Sequence, residues 1–134
     1  MSRRLTDDDR RFRELTEAQF QRQVTDLAEK CRWHWMHVSY GPKLDRSGAV
    51  VRYTTPTTGT MAKGWPDLVL VRERDRRLIF AELKREVGKT DPEQDEVLTI
   101  LRRLDGGAFG VDVPLIEVFV WRPSDIDEIA HILA

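Results

Sequence analysis

The chain has 134 residues, with 22 Lys and Arg against 23 Asp and Glu, a formal net charge of −1, and 40% apolar content that includes four Trp. That is one ordinary domain with enough apolar residues for a core, and its balanced charge gives no global field to draw in nucleic acid, so any such attraction comes from local patches. The single cysteine, Cys31, excludes a disulfide framework and a Cys-ligated zinc site, and the lack of a signal peptide or of an apolar run near about 20 residues leads us to expect a soluble intracellular protein.

Residues 1–15 read as a flexible charged arm ahead of a single domain over residues 16–134. Arg3, Arg4, Asp7, Asp8, Asp9, Arg10, Arg11 and Arg13 dominate it. The expectation is an exposed, frayed segment, with a phosphate-touching arm as the rival reading. Thr16 then looks like the N-cap of a first helix. Phe20, Val24, Leu27, Ala28 and Cys31 recur at helical spacing and form its inward stripe. Glu17 falls in the first turn and has two readings. It is either a charge favoured by the helix N-terminus or a third carboxylate facing the site described below, and spacing leaves both open.

Residues 33–40 alternate like a strand. Its His34 and His37 suggest a metal pair, but half-buried strand histidines are the expectation. Residues 41–63 look like a long loop or ragged hairpin, punctuated by Gly41-Pro42, Ser47-Gly48, Pro56 and Gly59, with a short strand at 49–53. Segments this long in small domains tend to be functional or disordered. Lys43, Arg46, Arg52 and Lys63 give it positive charge, and it runs into the next motif, so it is the candidate substrate-contacting flap.

That motif is Gly64-Trp65-Pro66-Asp67, followed fifteen residues after the aspartate by Glu82-Leu83-Lys84. The residues between read as two apolar strands joined by the charged turn Glu73-Arg74-Asp75-Arg76. A hairpin folded about Arg74-Asp75 puts Asp67 nearly opposite Glu82, on one face and about 5 Å apart. The strand period of two adds Lys84 to that face. A one-residue bulge would turn Asp67 away. Two carboxylates this close repel unless a cation sits between them. Mg2+ or Mn2+ is the natural ion, because it takes one or two carboxylates and keeps water and phosphate oxygens. It polarises a phosphate and acidifies water, and an ammonium beside it stabilises developing charge. The carbonyl of Leu83 is a further candidate ligand. The bland alternative is a solvated hairpin end with a Glu–Lys pair.

Arg85, Lys89 and a turn at Gly88 lead to a strong helix start, with Asp91 as N-cap and Pro92 at the first helical position. Val97, Leu98, Ile100, Leu101 and Leu104 make the expected buried face, and Gly106-Gly107 the expected end. Gln94 sits in the first turn, where it either contacts the attacking water or phosphate or is simply solvated. Residues 115–121 read as a core strand. Pro123-Ser124 breaks it, with Ser124 capping a last helix whose Ile126, Ile129, Ile132 and Leu133 face inward. A strand–helix–strand crossover after the hairpin implies an α/β domain with a mixed sheet flanked by helices.

Taken in order, the first-helix segment Glu17-Ala18-Gln19-Phe20-Gln21, Gly64-Trp65-Pro66-Asp67, Glu82-Leu83-Lys84, Asp91-Pro92-Glu93-Gln94 and Val120-Trp121-Arg122-Pro123-Ser124-Asp125 resemble the VRR-NUC family of the PD-(D/E)xK nuclease superfamily, in its small stand-alone, phage-type form. The resemblance covers roughly residues 16–133. It implies a restriction-endonuclease-like core similar to that of Holliday-junction resolvases. It also implies a Mg2+- or Mn2+-dependent endodeoxyribonuclease that acts on DNA, branched DNA included, in the cytoplasm of a bacterial or phage-infected cell. By the same resemblance Asp67, Glu82, the Leu83 carbonyl and Glu17 hold the metal, Lys84 is the catalytic lysine, and Gln94 is the glutamine after the core. Lys43, Arg46, Arg52, Lys63, Arg85 and Lys89 are expected to meet DNA phosphates, which makes binding salt-dependent. A homodimer is expected by analogy alone. Two alternatives stand beside this. One is a non-cleaving DNA-binding or accessory protein with the same fold. The other is a nuclease-like core acting on RNA; the sequence offers no aromatic platform typical of single-strand RNA readers, although Trp33, Trp35 and Trp65 are able to stack.

Overall fold

The structure is a computed structural model that describes residues 3–38, 42–44, 46–53, 58–104 and 116–134, and for residues 42–44 and 50–53 the backbone only. Its helices are α1 (Asp7–Glu14), α2 (Glu17–Lys30), α3 (Pro92–Arg102) and α4 (Ile126–Leu133). Its strands are β1 (His34–His37), β2 (Pro42–Leu44), β3 (Val50–Tyr53), β4 (Leu68–Arg72), β5 (Arg77–Leu83) and β6 (Glu117–Trp121). Among the described residues, four strands form one sheet in the order β1-β4-β5-β6, and β2 pairs with β3 as a separate ribbon. The pairs β1–β4 and β4–β5 are antiparallel, while β5–β6 is parallel across the α3 crossover. The sheet is therefore mixed. Among the described residues, no helix is long and apolar enough to cross a membrane.

The hairpin follows from its sequence. Leu68 and Leu70 alternate inward on β4, and Ile79, Ala81 and Leu83 do so on β5, all fully or almost fully buried. They join Phe20, Val24 and Ala28 of α2 and Ile129 and Leu133 of α4 in one cluster, with Trp121 from β6. The opposite face carries Phe80 and Glu82, and α3 reaches it through Gln94. Leu68 pairs with Ala81 and Arg72 with Arg77, an unbroken ladder with no bulge. The turn is a single 3-10 turn, Glu73–Asp75, closed by Arg76 in the left-handed region at φ 56°.

Several expectations change. The N-terminal segment, read as an arm, contains a helix, α1. Thr6 caps it through a reciprocal capping box with Asp9, and three aspartates fill its first turn. No residue of α1 is buried, so it is held by caps and charges rather than by an apolar stripe. In α3, Val97, Leu98 and Leu101 are buried, but Ile100 and Leu104 are exposed. The helix stops at Arg102, before the glycines; Gly106, Gly107 and Leu115 lie outside the described residues. Ser124 does not cap α4. A 3-10 turn, Pro123–Asp125, intervenes, and the Ser124 N–H donates instead to Glu86 Oε2 at 3.0 Å.

Trp33 is buried rather than available for base stacking. The Arg72 guanidinium lies 4.5 Å from its ring centroid and that of Arg77 lies 5.0 Å away. Arg72 is 4% exposed and donates to Cys31 O, Leu133 O and Ala134 O and to both carboxylate oxygens of Asp75. It thus ties the end of α2, the hairpin turn and the end of α4 together. Arg72→Ala strands these carbonyls and removes a stacked cation, so it should lose about 3–5 kcal/mol, read as a lower urea midpoint. Arg72→Lys, without the planar fork, should recover only part of that loss.

Candidate active site

Continuing the β4–β5 register by one step brings Asp67 to Glu82, because Leu68 is paired with Ala81. Asp67 closes the ladder with its side chain: its Oδ2 accepts the Leu83 N–H at 2.8 Å. Its own carbonyl accepts the Val38 N–H at 2.8 Å, which fastens the end of β1 to the same point. Glu82 is 1% exposed. Its Oε1 accepts from Gln94 Nε2 at 2.7 Å and lies 3.5 Å from Lys84 Nζ. Its Oε2 is buried and has no hydrogen-bond partner among the described residues.

The electrostatics follow from that geometry. Burial pushes the Glu82 carboxyl up to about 8, and the neighbouring Asp67 carboxylate pushes in the same direction. Lys84 opposes the shift, but 3.5 Å is too long for a strong hydrogen bond, and burial wins. Without a further cation, the site holds a proton that an unburied glutamate would have released.

Gln94 is fixed by its helix. Asp91 and Gln94 form a reciprocal capping box: the Asp91 N–H donates to Gln94 Oε1 at 3.0 Å and the Gln94 N–H to Asp91 Oδ1 at 2.9 Å. The amide oxygen is committed to the cap, so the amide nitrogen faces Glu82. Gln94 therefore braces the carboxylate. Gly64 makes this approach possible, since a Cβ there would lie 2.2 Å from Glu93 O. The Trp65 ring packs edge-on against Phe80 at 5.3 Å and seats the Gly-Trp-Pro-Asp turn on the sheet.

A cavity of about 290 Å³ opens beside Asp67, lined by Glu17, Ala18, Gln21, His37, Asp67 and Leu83. Glu17, in the first turn of α2 capped by Thr16, thus lines the cavity with Asp67, while Glu82, Lys84 and Gln94 are not among its described lining residues. Sequence reasoning gives Gln21 no role, and His37 only a place in a metal pair with His34. Gln21 was findable, because it lies one helical turn after Glu17 on the same face. The His34–His37 metal pair fails on strand geometry, since the two lie an odd number of residues apart on β1 and point to opposite faces; the expectation of half-buried histidines fails too, since both are exposed. The six cations read as phosphate contacts are not gathered alike. Lys63 pairs with Glu93 at 3.0 Å, and Arg85 donates to Arg13 O at 3.3 Å. Arg46 and Lys89 are exposed. Lys43 and Arg52 are opposed on the β2–β3 ribbon.

Which ion these donors fit can be read from them. Among the described residues, no three His, Cys, Asp or Glu side chains lie close enough to share one ion. Two carboxylates, one with a buried unpartnered oxygen, suit a hard cation that fills the rest of its shell with water and substrate oxygens.

Comparison with known proteins agrees with this architecture. The VRR-NUC domain family matches over residues 15–119. A solved VRR_NUC domain structure superposes with a TM-score of 0.52 at 21% identity, covering 86% of this chain and 94% of that one. That likeness shows the fold, an α/β restriction-endonuclease-like core. No match was found among curated proteins. The chain belongs to the VRR-NUC family, a family of PD-(D/E)xK-like nucleases.

Proposed function

We propose that this chain is a divalent-metal-dependent endodeoxyribonuclease that uses Mg2+ or Mn2+. The observation that carries this reading is the buried, unpartnered Oε2 of Glu82 beside Asp67. A buried polar atom left unpaired costs about 1–3 kcal/mol, and a ligand that satisfies it removes that cost. Asp67, Glu82 and the Leu83 carbonyl would hold the ion, with Glu17 acting across the cavity. When bound, the ion supplies Lewis-acid polarisation of the phosphate ester and lowers the pKa of water.

The chain's own residues do the rest. Gln94 pins one oxygen of Glu82, so the other would be the one free to hold the ion. Asp67, tied to the Leu83 N–H, keeps the two strand ends at a fixed spacing. The Lys84 ammonium sits beside Glu82 and stabilises charge that develops on the phosphate during attack. Branched DNA as preferred substrate, a homodimer with one site per strand, and a phage or bacterial cytoplasmic setting belong to the same proposal and rest on family membership.

Incubation of supercoiled plasmid with Mg2+, Mn2+ or EDTA tests the reading. Nicked and linear products should form with either metal and vanish with EDTA. Asp67→Ala should give no product while the protein stays folded. Lys84→Ala should lower the rate about 10²–10³-fold at saturating Mn2+ and leave the half-saturating Mn2+ concentration unchanged. Metal-independent cleavage, or full activity in Asp67→Ala, would reject the proposal. A panel of four-way junction, flap, nicked and linear duplex DNA tests the branched-DNA preference.

A further inference from the structure

The cavity beside Asp67 presents a problem for an anionic substrate. Among its described lining residues, Glu17 and Asp67 are carboxylates, Ala18 and Leu83 carry no polar side chain, and Gln21 and His37 bring the side-chain donors. A phosphate passing there meets two like charges and needs donors to hold it. Lys84 lies at Glu82, on the Gln94 side.

His37 is built into position rather than hung on a loop. It is the last residue of β1 and pairs with Leu68, next to Asp67. The following residue, Val38, donates its N–H to Asp67 O at 2.8 Å. Strand alternation puts His37 on the same face as Trp35, whose indole N–H donates to Glu29 of α2 at 3.1 Å. The imidazole therefore faces the α2 side, where Glu17 and Gln21 stand. It is exposed and has no hydrogen-bond partner among the described residues. It does not converge with Glu17 and Asp67 into a group able to share one ion. The cavity of about 290 Å³ exceeds a bare ion; at about 30 Å³ per water it takes a phosphate group with several waters.

Resting on the nuclease reading above, we propose that His37 is a substrate-contacting residue whose ring N–H holds a non-bridging oxygen of the DNA phosphate lying in this cavity. Gln21 stands beside it as a second donor on that wall. This makes the end of the edge strand part of the DNA-binding surface, in addition to the six cations named from sequence.

The test compares His37→Leu, which removes the donor, with His37→Gln, which keeps one. Duplex binding is read by fluorescence anisotropy in Ca2+, and KM, kcat and half-saturating Mn2+ are read from cleavage. His37→Leu should weaken binding and raise KM about tenfold, the size of one hydrogen bond to a charged group. Half-saturating Mn2+ should stay within about twofold, and His37→Gln should restore most of the loss, since a side-chain amide also donates. Thermal melts of all three proteins should coincide, because the side chain is exposed. An unchanged KM in His37→Leu overturns the proposal. So does a Mn2+ requirement that shifts while KM holds, which would make His37 a metal ligand. A wild type that binds duplex without cutting it, with His37→Leu binding more weakly, would sink the nuclease reading and leave this contact standing. A wild type that neither binds nor cuts DNA would sink both.

Discussion

Glu82→Gln will leave the protein unable to cut plasmid DNA and will make the metal-free protein more stable than the wild type at pH 8. The loss of cutting follows if Oε2 of Glu82 is a metal-binding oxygen. The gain in stability follows from burial. The Glu82 carboxyl is raised to about 8 in the folded protein, by burial first and by Asp67 second, whereas in the unfolded chain it titrates near the ordinary value of about 4.3. A folded pKa above the unfolded one means that the unfolded state gives up its proton first. The metal-free wild type is therefore unpenalised below about pH 4 and loses stability as pH climbs towards 8, by at most about 1.4 kcal/mol per pH unit. A neutral amide has no such penalty. Its oxygen can accept from Gln94, as Oε1 now does at 2.7 Å, and its nitrogen can donate towards Asp67. Calorimetry from pH 5 to pH 8 should show the wild type's Tm falling and that of Glu82→Gln holding. Mn2+ should raise the Tm of the wild type at pH 8 and leave the variant unmoved. Because binding must displace the Glu82 proton, wild-type metal affinity should strengthen up to about tenfold per pH unit below 8. A variant that melts below the wild type at pH 8, or that still cuts, would show that Glu82 is not the strained ligand.

The parts of this fold that were legible in the sequence are those fixed by short-range chemistry. The hairpin register was readable because a charged turn between two apolar strands allows one alignment that buries Leu68, Leu70, Ile79 and Ala81 together. The starts of α2 and α3 were readable because Thr16 and Asp91 each stand three residues before a glutamine that returns the cap. The same logic applies to Thr6 and Asp9, yet α1 is hard to tell from an arm, because it carries no apolar stripe to mark it. Other features depend on distant partners, and spacing does not encode those. Ile100 and Leu104 fit the helical period, but the element that would bury them is not set by period. Arg72 looks like an ordinary strand-end charge and is instead buried against Trp33 and the carbonyls of two helix ends. At the site, Asp67 and Glu82 could be paired on paper, whereas the neighbourhood of His37 exists only because β1 joins the edge of β4.

Gly64→Ala should damage both stability and cleavage, although it adds a single methyl group outside the carboxylate pair. Gly64 is buried, and a Cβ placed on it would lie 2.2 Å from Glu93 O, 2.5 Å from Glu93 C and 2.9 Å from Gln94 N. All three are backbone atoms, so no side chain can rotate away. The first turn of α3 must retreat, and it carries Gln94. Forcing that displacement should cost about 1–3 kcal/mol, the usual range for an overpacked interior, and lower the urea midpoint accordingly. Retreat of the turn lengthens the 2.7 Å bond from Gln94 to Glu82 and frees the carboxylate to leave its aim. Misplacement of about 1 Å in a catalytic arrangement can cost about a hundredfold in rate, so cleavage at saturating Mn2+ should fall between about tenfold and a hundredfold at temperatures where the variant remains folded. Gly88→Ala is the matched control. Its closest contacts are 3.3 Å, to the backbone of Arg85, so small shifts absorb them, and both readouts should stay near wild type. If Gly64→Ala loses stability while its folded fraction cuts at the full rate, Gln94 is not what holds Glu82 in position, and the brace must come from Lys84 and Asp67 alone.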